Sequence, residues 1–364
     1  MKILITTPDI SLLGGVANHY LGLQNKWTRG HIGYHQFITG IQINKYVKFK
    51  PLQKYVQYIS TFYNFVSFFI RLLFHLHIKI VLVNPSLDSN AIKRDAIFLS
   101  ISKKFNKKVF VFIHGWNDEY ANQIRKMPQK FINTYNKADG FFVLANQFRD
   151  QLIEFGITKD IFMTTTKVDD SLIEEFDINS KTGQVKNILF LARIEKAKGV
   201  YTAINSFDLL QKKYHDLSLT IVGNGSEFQN VKKYIETHAI KNIELTGNLN
   251  GDALIKKYSQ ADIYLFPTHH EGMPTTVLEA MAFGLPIITR PVGGLVDFFE
   301  EEKMGYLIKS HDPGDYVNAM ELFINNPDYT QRVSFNNHVY AKKHFLASKV
   351  AVQLENILNS FLNK

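Results

Sequence analysis

Short apolar runs alternate with longer amphipathic segments along this chain, beginning at its N-terminus. Buried parallel strands read as short apolar runs, whereas the helices between them repeat their apolar positions every 3.6 residues. The pattern predicts six strands in each half of the chain and two closing helices. The predicted strands are Lys2–Thr7, Gln36–Thr39, Lys79–Asn84, Lys108–Ile113, Gly140–Leu144, Ile161–Thr165, Asn187–Ala192, Leu217–Val222, Ile243–Thr246, Ile263–Phe266, Pro286–Thr289 and Gly305–Ile308. The two closing helices are Asp328–His344 and Ser348–Leu362.

Two such series in succession predict two Rossmann-like, doubly wound α/β domains. The polar stretch Asp177–Lys186 is a plausible linker between them, and 364 residues exceed one ordinary core. We place an N-terminal domain at 1–178 and a C-terminal domain at 179–345, with the final helix, 346–364, packing back on the first domain. Because ligands of such folds bind at the carboxyl ends of strands, we expect a central cleft between the domains.

One segment, Tyr55–Phe74, has the length of a bilayer span and is rich in aromatic residues. Polar residues interrupt it throughout, so the segment predicts a buried or half-buried helix. The apolar run at the N-terminus is too short for a signal peptide. The chain has no cysteine, which excludes disulfides and thiolate metal sites. Together these features predict a cytoplasmic protein.

The net charge of +9 is concentrated in the first part of the chain. Residues 1–130 contain 18 Lys and Arg against 5 Asp and Glu, a net +13, and the remaining residues carry a net −4. Such asymmetry indicates either a surface for an anionic partner or ordinary solvated lysines. A peripheral contact with the inner face of an anionic membrane is one candidate. Nucleic acid is not expected, because no nucleic-acid reading motif accompanies the charge.

The segment His269–Pro286 carries the strongest chemical signal. It follows a predicted strand, passes through Gly272 to Pro274, which suits the first position of a helix, and ends at a Gly-Leu-Pro phrase. The start of that helix leaves backbone N–H groups without partners beside a positive helix end, which suits a diphosphate. Glu271 and Glu279 bracket this anion site and offer acceptors for the hydroxyls of a sugar and a ribose.

Further glycine and basic residues follow other predicted strands. Arg193 and Lys198 come after the strand at Asn187 and direct two cations toward one place, where they would stabilise a departing diphosphate. Glycine turns follow two more strands, and a glycine pair follows the first strand, where backbone N–H groups can approach a diphosphate. These residues are Gly223, Asn224, Gly225, Gly247, Asn248, Leu249, Gly14 and Gly15.

The phrase EGMPTTVLEAMAFGLPIIT, with its Glu-x7-Glu spacing, resembles the signature of retaining GT-B glycosyltransferases of family 4, the group 1 type. The Arg-x4-Lys-Gly spacing at Arg193 resembles a second element of that family. The likeness covers most of 187–309 but only patches of 1–170. Family members carry Asn-Gly-Val-Asp where this chain has Thr166-Lys167-Val168-Asp169, so no contact is carried over at Lys167.

The resemblance implies a role for each matching residue. Glu271 would contact the donor sugar, Glu279 would hold the ribose, and His114 would lie near the donor sugar as a catalytic residue with Arg193 and Lys198. The donor would lie over Gly272, Met273, Pro274, Thr275 and Thr276, the glycine turns would shape the nucleotide pocket, and Gly14 and Gly15 would face the diphosphate.

These features predict an enzyme that moves a sugar, with retention, from a nucleotide diphosphate sugar to an acceptor hydroxyl. A UDP-sugar is favoured and a GDP-sugar is possible. The acceptor expected is a saccharide or lipid-linked saccharide of bacterial cell-surface polysaccharide or glycoconjugate synthesis. The chain has no Asp-x-Asp motif, so no metal or other cofactor is expected. The alternatives are a non-hydrolysing sugar-nucleotide epimerase and a non-catalytic nucleotide-sugar-binding partner.

Overall fold

The computed structural model describes residues 2–8, 15–24, 26, 27, 33–39 and 50–361. The chain divides into two compact units, which are described separately. The first unit contains the chain up to Thr165 and the segment from Val350 onward, and the second contains Thr166–Lys349.

The first unit is built on a six-stranded parallel sheet of order β2-β1-β3-β5-β7-β8. A short parallel pair, β4 with β6, stands apart from it. The strands are β1 (Lys2–Thr7), β2 (Gly33–Ile38), β3 (Ile78–Val83), β4 (Ser86–Leu87), β5 (Lys108–Phe112), β6 (Gly115–Trp116), β7 (Gly140–Val143) and β8 (Ile161–Met163). The helices are α1 (Gly15–Leu23), α2 (Lys50–Phe74), α3 (Ser89–Lys104), α4 (Asp118–Lys126), α5 (Gln129–Tyr135) and α6 (Asn146–Glu154).

The second unit has a six-stranded parallel sheet of order β11-β10-β9-β12-β13-β14, the Rossmann order. Its strands are β9 (Asn187–Leu191), β10 (Ser218–Val222), β11 (Ile243–Gly247), β12 (Ile263–Phe266), β13 (Ile287–Thr289) and β14 (Gly305–Leu307). Its helices are α7 (Val200–Gln211), α8 (Phe228–Thr237), α9 (Gly251–Gln260), α10 (Thr275–Ala282), α11 (Pro313–Ile324) and α12 (Pro327–His344). Helix α13 (Ala347–Ser360) begins in the second unit and continues in the first.

Both sheets are buried on both faces, as their continuous apolar strands predict. Ile3, Leu4 and Ile5 of β1 are fully buried, as are Leu265 and Ile287 in the second unit. The predicted α/β fold with two doubly wound sheets is confirmed. The predicted strands coincide with observed strands, in most cases to within one residue at each end, because apolar runs bounded by polar or glycine residues mark strands of this kind clearly.

The division between the units falls at Thr165, not at the polar stretch Asp177–Lys186. The chain enters the second unit before that stretch, where the Val168 N–H donates to the Phe345 carbonyl at 2.7 Å. Within the polar stretch, Lys181 is buried and its Nζ donates to the carbonyl oxygens of Ser259 and Ala261. The stretch is therefore part of the second unit's packing and is not a linker. At the other end of the chain, Phe361 packs against Phe110 and Phe162 of the first unit.

Helix α2 corresponds to the segment Tyr55–Phe74, where a buried or half-buried helix is predicted. The helix is present. Among its side chains that the structure describes, most aromatic and aliphatic ones are exposed, and only Phe68 and Leu72 are fully buried. The helix is therefore not fully buried but attached by one side, because an apolar sequence identifies a helix without showing how much protein covers it. None of the helices in the described part of the chain is long and apolar enough to cross a bilayer.

Candidate functional site

The order of strands in the second unit fixes where its loops can meet. Strands β9 and β12 are neighbours in the sheet; β10 and β11 extend it on the side of β9, and β13 and β14 extend it on the side of β12. The strand order therefore reverses between β9 and β12, and such a reversal creates a crevice at the carboxyl ends of the two strands. The loop after β9 carries Arg193 and Lys198, and the loop after β12 carries Glu271 and leads into α10. The two segments that the sequence marks most strongly therefore lie on either side of the same point.

An ion pair joins these two loops. Lys198 Nζ donates to Glu271 Oε1 at 2.6 Å, and Thr268 Oγ1 donates to the same oxygen at 3.2 Å. Both members are largely buried, with side-chain exposures of 15% for Lys198 and 16% for Glu271. A charged pair so poorly exposed is held by its surroundings and is not a chance surface contact. The sequence predicts that Lys198 and Glu271 serve one site, and the structure brings them into contact.

Backbone contacts position the Lys198 loop against the end of β12. The His269 N–H donates to the Ala197 carbonyl at 2.9 Å. Gly199 has φ +76°, and a Cβ at this position would lie 2.0 Å from the Pro267 carbonyl oxygen. Only glycine permits both this backbone conformation and this approach. Gly199 therefore sets the distance between Lys198 and Glu271.

Replacing Gly199 by alanine is expected to destabilise the fold by about 3 kcal/mol, because left-handed strain and a backbone collision add. Gly251→Ala is the matched control, since Gly251 also has positive φ but a Cβ there would meet no atom within 4 Å. That variant should lose only about 1 kcal/mol. Urea unfolding of both variants measures the difference, and equal losses would show that the approach to Pro267 does not constrain the loop.

The start of α10 lies directly after Glu271. The helix begins at Thr275, and Pro274 is its N-cap, with φ −73° and ψ 106°, so the prediction of Pro274 as the first helical residue is off by one position. The N–H groups of the first turn, including those of Thr275 and Thr276, have no partner within the helix. Met273 and Pro274 are buried, which leaves the approach to these N–H groups shaped by a fixed loop.

A second glycine contact holds the same loop from the side of β13. The Gly294 N–H donates to the Gly272 carbonyl at 2.8 Å. Gly293 has φ +52°, and a Cβ there would lie 2.1 Å from the Gly272 carbonyl oxygen. Gly293 and Gly294 are not among the residues predicted from the sequence, although the phrase Pro-Val-Gly-Gly is a recognisable turn signal. They make the loop around Gly272 rigid.

Glu279, one turn into α10, is a second carboxylate on the same helix. Its Oε2 accepts a hydrogen bond from the Tyr258 hydroxyl at 2.7 Å. Burial raises the pKa of Glu279 to about 7, and the hydrogen bond from Tyr258 and the nearby Lys167 charge only partly oppose this. A ligand that donates hydrogen bonds to the ionised carboxylate lowers this pKa. Such a ligand therefore binds the ionised form of Glu279 more tightly than the protonated form.

Lys167 lies beside Glu279, although the resemblance to the family phrase carried over no contact at this residue. It is buried, its Nζ donates to Asp169 Oδ2 at 2.5 Å, and its charge acts on Glu279. The neighbouring Thr166 Oγ1 donates to the Met273 carbonyl at 3.4 Å. The segment that replaces Asn-Gly-Val-Asp therefore lies beside Met273, just before α10, and beside Glu279, within α10. The departure from the family phrase concealed it.

The glycine turns of the second unit are tied to the Lys198 loop. The Gly223 N–H donates to the Gly247 carbonyl at 2.8 Å, and the Ile194 N–H donates to the Asn224 carbonyl at 3.1 Å. Asn224, Gly225 and Asn248 are exposed at the same edge of the sheet, and Leu249 is half-buried. The predicted nucleotide-contacting turns thus form one surface with the crevice at β9.

Arg193, in the same loop as Lys198, pairs with a different carboxylate. Its side chain is 72% exposed, and its Nη1 bonds to Glu195 Oε1 at 3.1 Å. That Arg193 joins Lys198 at a diphosphate therefore stays a prediction. Among the described residues, no three His, Asp or Glu side chains are grouped as ligands for a metal ion.

In the first unit, His114 lies after β5 at the carboxyl edge of the sheet. Its Nε2 lies 3.0 Å from Asn84 Oδ1, which also accepts from the Tyr20 hydroxyl at 2.5 Å. Asn84 Nδ2 donates to the carbonyls of Thr6 and Leu82, so Oδ1 is the acceptor and His114 carries its proton on Nε2. Burial, and next the charge of His19, hold the pKa of His114 well below its usual value. His114 is therefore neutral at neutral pH.

Asn84 is a second residue that the sequence does not reveal, since it reads only as the end of a strand.

Gly15 is the first residue of α1, and a Cβ there would meet no atom within 4 Å. Gly14 lies outside the described residues. The glycine pair therefore stays a prediction.

Replacing Asn84 by aspartate is expected to raise the pKa of His114 markedly, because a carboxylate beside Nε2 favours the imidazolium form. NMR titration of histidine ring carbons, assigned with His114→Gln, measures this value. In the unsubstituted protein the His114 signal should titrate well below the usual histidine range, because burial lowers its pKa. An unchanged titration in Asn84→Asp would contradict the assigned hydrogen bond.

Comparisons with known proteins agree with this geometry. Residues 171–340 match the family "Glycosyl transferases group 1". The capsular polysaccharide biosynthesis glycosyltransferase CapM of Staphylococcus aureus is 24% identical over 227 residues, which cover 61% of this chain and 58% of CapM. The chain thus spans less than two thirds of that relative.

Two solved structures share the whole fold. Sucrose-phosphate synthase of Thermosynechococcus elongatus has a TM-score of 0.76 at 15% identity, with 100% of this chain and 99% of that chain covered. HepE of Anabaena, solved with UDP-glucose, has a TM-score of 0.71 at 14% identity, with 99% and 100% covered. The chain has the GT-B fold. Its segment 171–340 matches the model of the group 1 glycosyl transferases, the group that the Glu-x7-Glu phrase resembles.

Proposed function

We propose that this protein is a glycosyltransferase that moves a sugar from a nucleotide diphosphate sugar to an acceptor hydroxyl with retention of configuration and without a metal ion. The observation that carries the proposal is the buried Lys198–Glu271 pair, which lies beside the entrance of α10 at the β9–β12 reversal. A cation, a row of unpaired N–H groups and a carboxylate in one crevice fit the charge pattern of a sugar diphosphate.

In the proposed complex the diphosphate lies at the N–H groups of Thr275 and Thr276, and Lys198 contacts its terminal phosphate. Glu271 accepts hydrogen bonds from the donor sugar, and Glu279 accepts them from the ribose. As the bond from the anomeric carbon to phosphate oxygen breaks, its electron pair passes to that oxygen. Lys198 and the helix N-terminus stabilise the added charge.

The acceptor oxygen forms the new bond on the face that the phosphate leaves, and its proton passes to the departing phosphate. This route gives retention without an enzyme nucleophile. The resemblance assigns Arg193 to the diphosphate as well, and His114 to the donor sugar. A neutral imidazole with its Nε2 proton committed to Asn84 can accept a hydrogen bond at Nδ1 from a sugar hydroxyl.

The donor and acceptor are proposed from the relatives. UDP-glucose and UDP are present in the HepE structures, which favours a UDP-sugar over a GDP-sugar. The capsular relative favours a saccharide or lipid-linked saccharide of the cell surface as acceptor. The excess of Lys and Arg in 1–130 supports peripheral contact with an anionic membrane on the cytoplasmic side.

A donor panel tests the proposal. UDP-glucose, UDP-N-acetylglucosamine and GDP-mannose are compared by thermal shift and by slow hydrolysis, with and without EDTA. One UDP-sugar should raise Tm and should be hydrolysed to the α-anomer at the same rate in EDTA. No response to any sugar nucleotide would contradict the donor site, and a β-anomer product would contradict retention.

A further inference from the structure

Helix α2 exposes one continuous apolar face. Eleven of its apolar side chains are between 40% and 75% exposed, and they recur at three- and four-residue intervals along six turns, so they share one side of the helix. They are Leu52, Tyr55, Tyr58, Ile59, Phe62, Tyr63, Val66, Phe69, Ile70, Leu73 and Phe74. We call this set the α2 face. Exposed apolar surfaces of this extent mark interaction sites.

A different side of the helix attaches it to the first unit. The Phe68 ring packs edge-on against Phe37 and Phe98, with centroids 5.0 and 4.8 Å apart, and Phe65 packs against Phe98 at 5.1 Å. Leu72 is fully buried on that side. Of the α2 face, Phe69 also packs edge-on against Phe105, with centroids 5.0 Å apart, at the margin of this attachment. Most of the α2 face lies on the side of the helix away from Phe68 and Leu72, and its apolar composition calls for another explanation.

The stretch of sequence that contains α2 carries only positive charge. Residues 10–87 contain eight Lys and Arg and no Asp or Glu. Burial, and then the charges of Lys2 and Arg71, lower the pKa of His35. Burial, and then Lys2 and Lys107 among other charges, lower the pKa of His77, so these cations lie close together at the C-terminal end of the helix. Lys107 itself is buried, whereas Lys79, whose charge lowers the pKa of Lys107, is exposed. In the described part of the chain, no carboxylate lies within ion-pair distance of Arg71 or Lys107.

We propose that the α2 face lies in the boundary between head groups and acyl chains of an anionic lipid bilayer, with Arg71 and its neighbouring cations on the lipid phosphates. An apolar stripe flanked by cations is the pattern of helices that lie in a membrane surface. Three tyrosines on the stripe suit that boundary, where an apolar ring and a polar hydroxyl are both satisfied. The absence of acidic residues suits a negatively charged surface better than a typical protein partner.

This surface adds a lipid partner to the proposed glycosyltransferase and specifies the membrane contact that the charge of 1–130 only suggests. It lies on the first unit and does not require donor binding, so it can fail or succeed independently of the donor site.

Vesicle sedimentation with the full chain tests the proposal. The vesicles are phosphatidylcholine with or without about 40% phosphatidylglycerol, at low salt. The unsubstituted protein should bind the anionic vesicles, and Tyr58→Ser/Phe62→Ser/Phe74→Ser should bind them at least tenfold more weakly. The matched control, Met127→Ser/Ile153→Ser/Phe335→Ser, replaces three other exposed apolar residues and should bind within twofold of the unsubstituted protein. Arg71→Gln/Lys79→Gln should reduce binding and its dependence on salt.

Thermal unfolding of each variant, with and without a UDP-sugar, separates loss of lipid binding from loss of fold or donor site. No binding by the unsubstituted protein, or equal binding by the triple α2 variant, would overturn the proposal. Ultracentrifugation tests the alternative that a second copy of the chain covers the α2 face. In that case the unsubstituted protein would be a dimer, the triple α2 variant would be a monomer, and neither would bind vesicles, which would overturn the lipid proposal.

Discussion

Replacing Lys198 by alanine is expected to lower kcat for sugar transfer by roughly 10²- to 10³-fold, the loss usual for one preorganised group that stabilises transition-state charge. The reason is that charge develops on the departing diphosphate, and Lys198 is a largely buried cation paired with Glu271 beside the α10 entrance. KM for the donor should rise much less, since the helix N–H groups still bind the ground-state diphosphate. Steady-state kinetics with a UDP-sugar measures both values.

Lys196→Ala is the control, because Lys196 lies in the same short helical turn but is exposed. Its kinetics should be unchanged. Circular dichroism should show that Lys198→Ala keeps its fold, and Lys198→Ala/Glu271→Gln should recover any stability lost by leaving Glu271 unpaired. A Lys198→Ala enzyme with near-normal kcat would mean that the pair is structural and that the departing charge is stabilised elsewhere.

Replacing Glu279 by alanine is expected to weaken UDP-sugar binding roughly 10- to 100-fold, the range expected for loss of hydrogen bonds to a charged group. The affinity of the unsubstituted protein should also depend on pH. The pKa of Glu279 is about 7 in the free protein, and ribose hydroxyls donate to the ionised form. Binding therefore releases a proton, and affinity should rise as pH increases from 6 to 8.

Isothermal titration calorimetry with a UDP-sugar, in buffers of different ionisation enthalpy, measures affinity and proton release together. The Glu279→Ala variant should lose the pH dependence as well as the affinity. Glu236→Ala, an exposed glutamate on α8, should change neither. Full affinity in Glu279→Ala would place the ribose elsewhere.

The alternation of apolar runs was sufficient to predict both sheets, because the inner strands are buried on both faces and their sequences are continuously apolar. The Lys198–Glu271 contact was also foreseeable, since both residues follow strands and such loops gather at one edge. Its cause, the approach of Gly199 to Pro267, was not foreseeable, because a glycine in a loop does not reveal which backbone it meets.

The remaining features depend on tertiary neighbours. Asn84 reads as a strand end, yet it fixes the His114 tautomer through bonds to residues far along the chain. Lys167 reads as a departure from a motif, yet it lies beside Glu279. The α2 sequence predicts a buried or half-buried helix, but the sequence pattern cannot tell an apolar side that meets the core from one that faces outward. Such assignments need the packed structure.

A crystal structure of the protein with a bound UDP-sugar tests the central claim most directly. The diphosphate should lie at the N–H groups of Thr275 and Thr276, with Lys198 Nζ within hydrogen-bond distance of its terminal phosphate and Glu279 on the ribose hydroxyls. Density for the nucleotide away from the α10 entrance, with the Lys198–Glu271 pair untouched by the ligand, would contradict it.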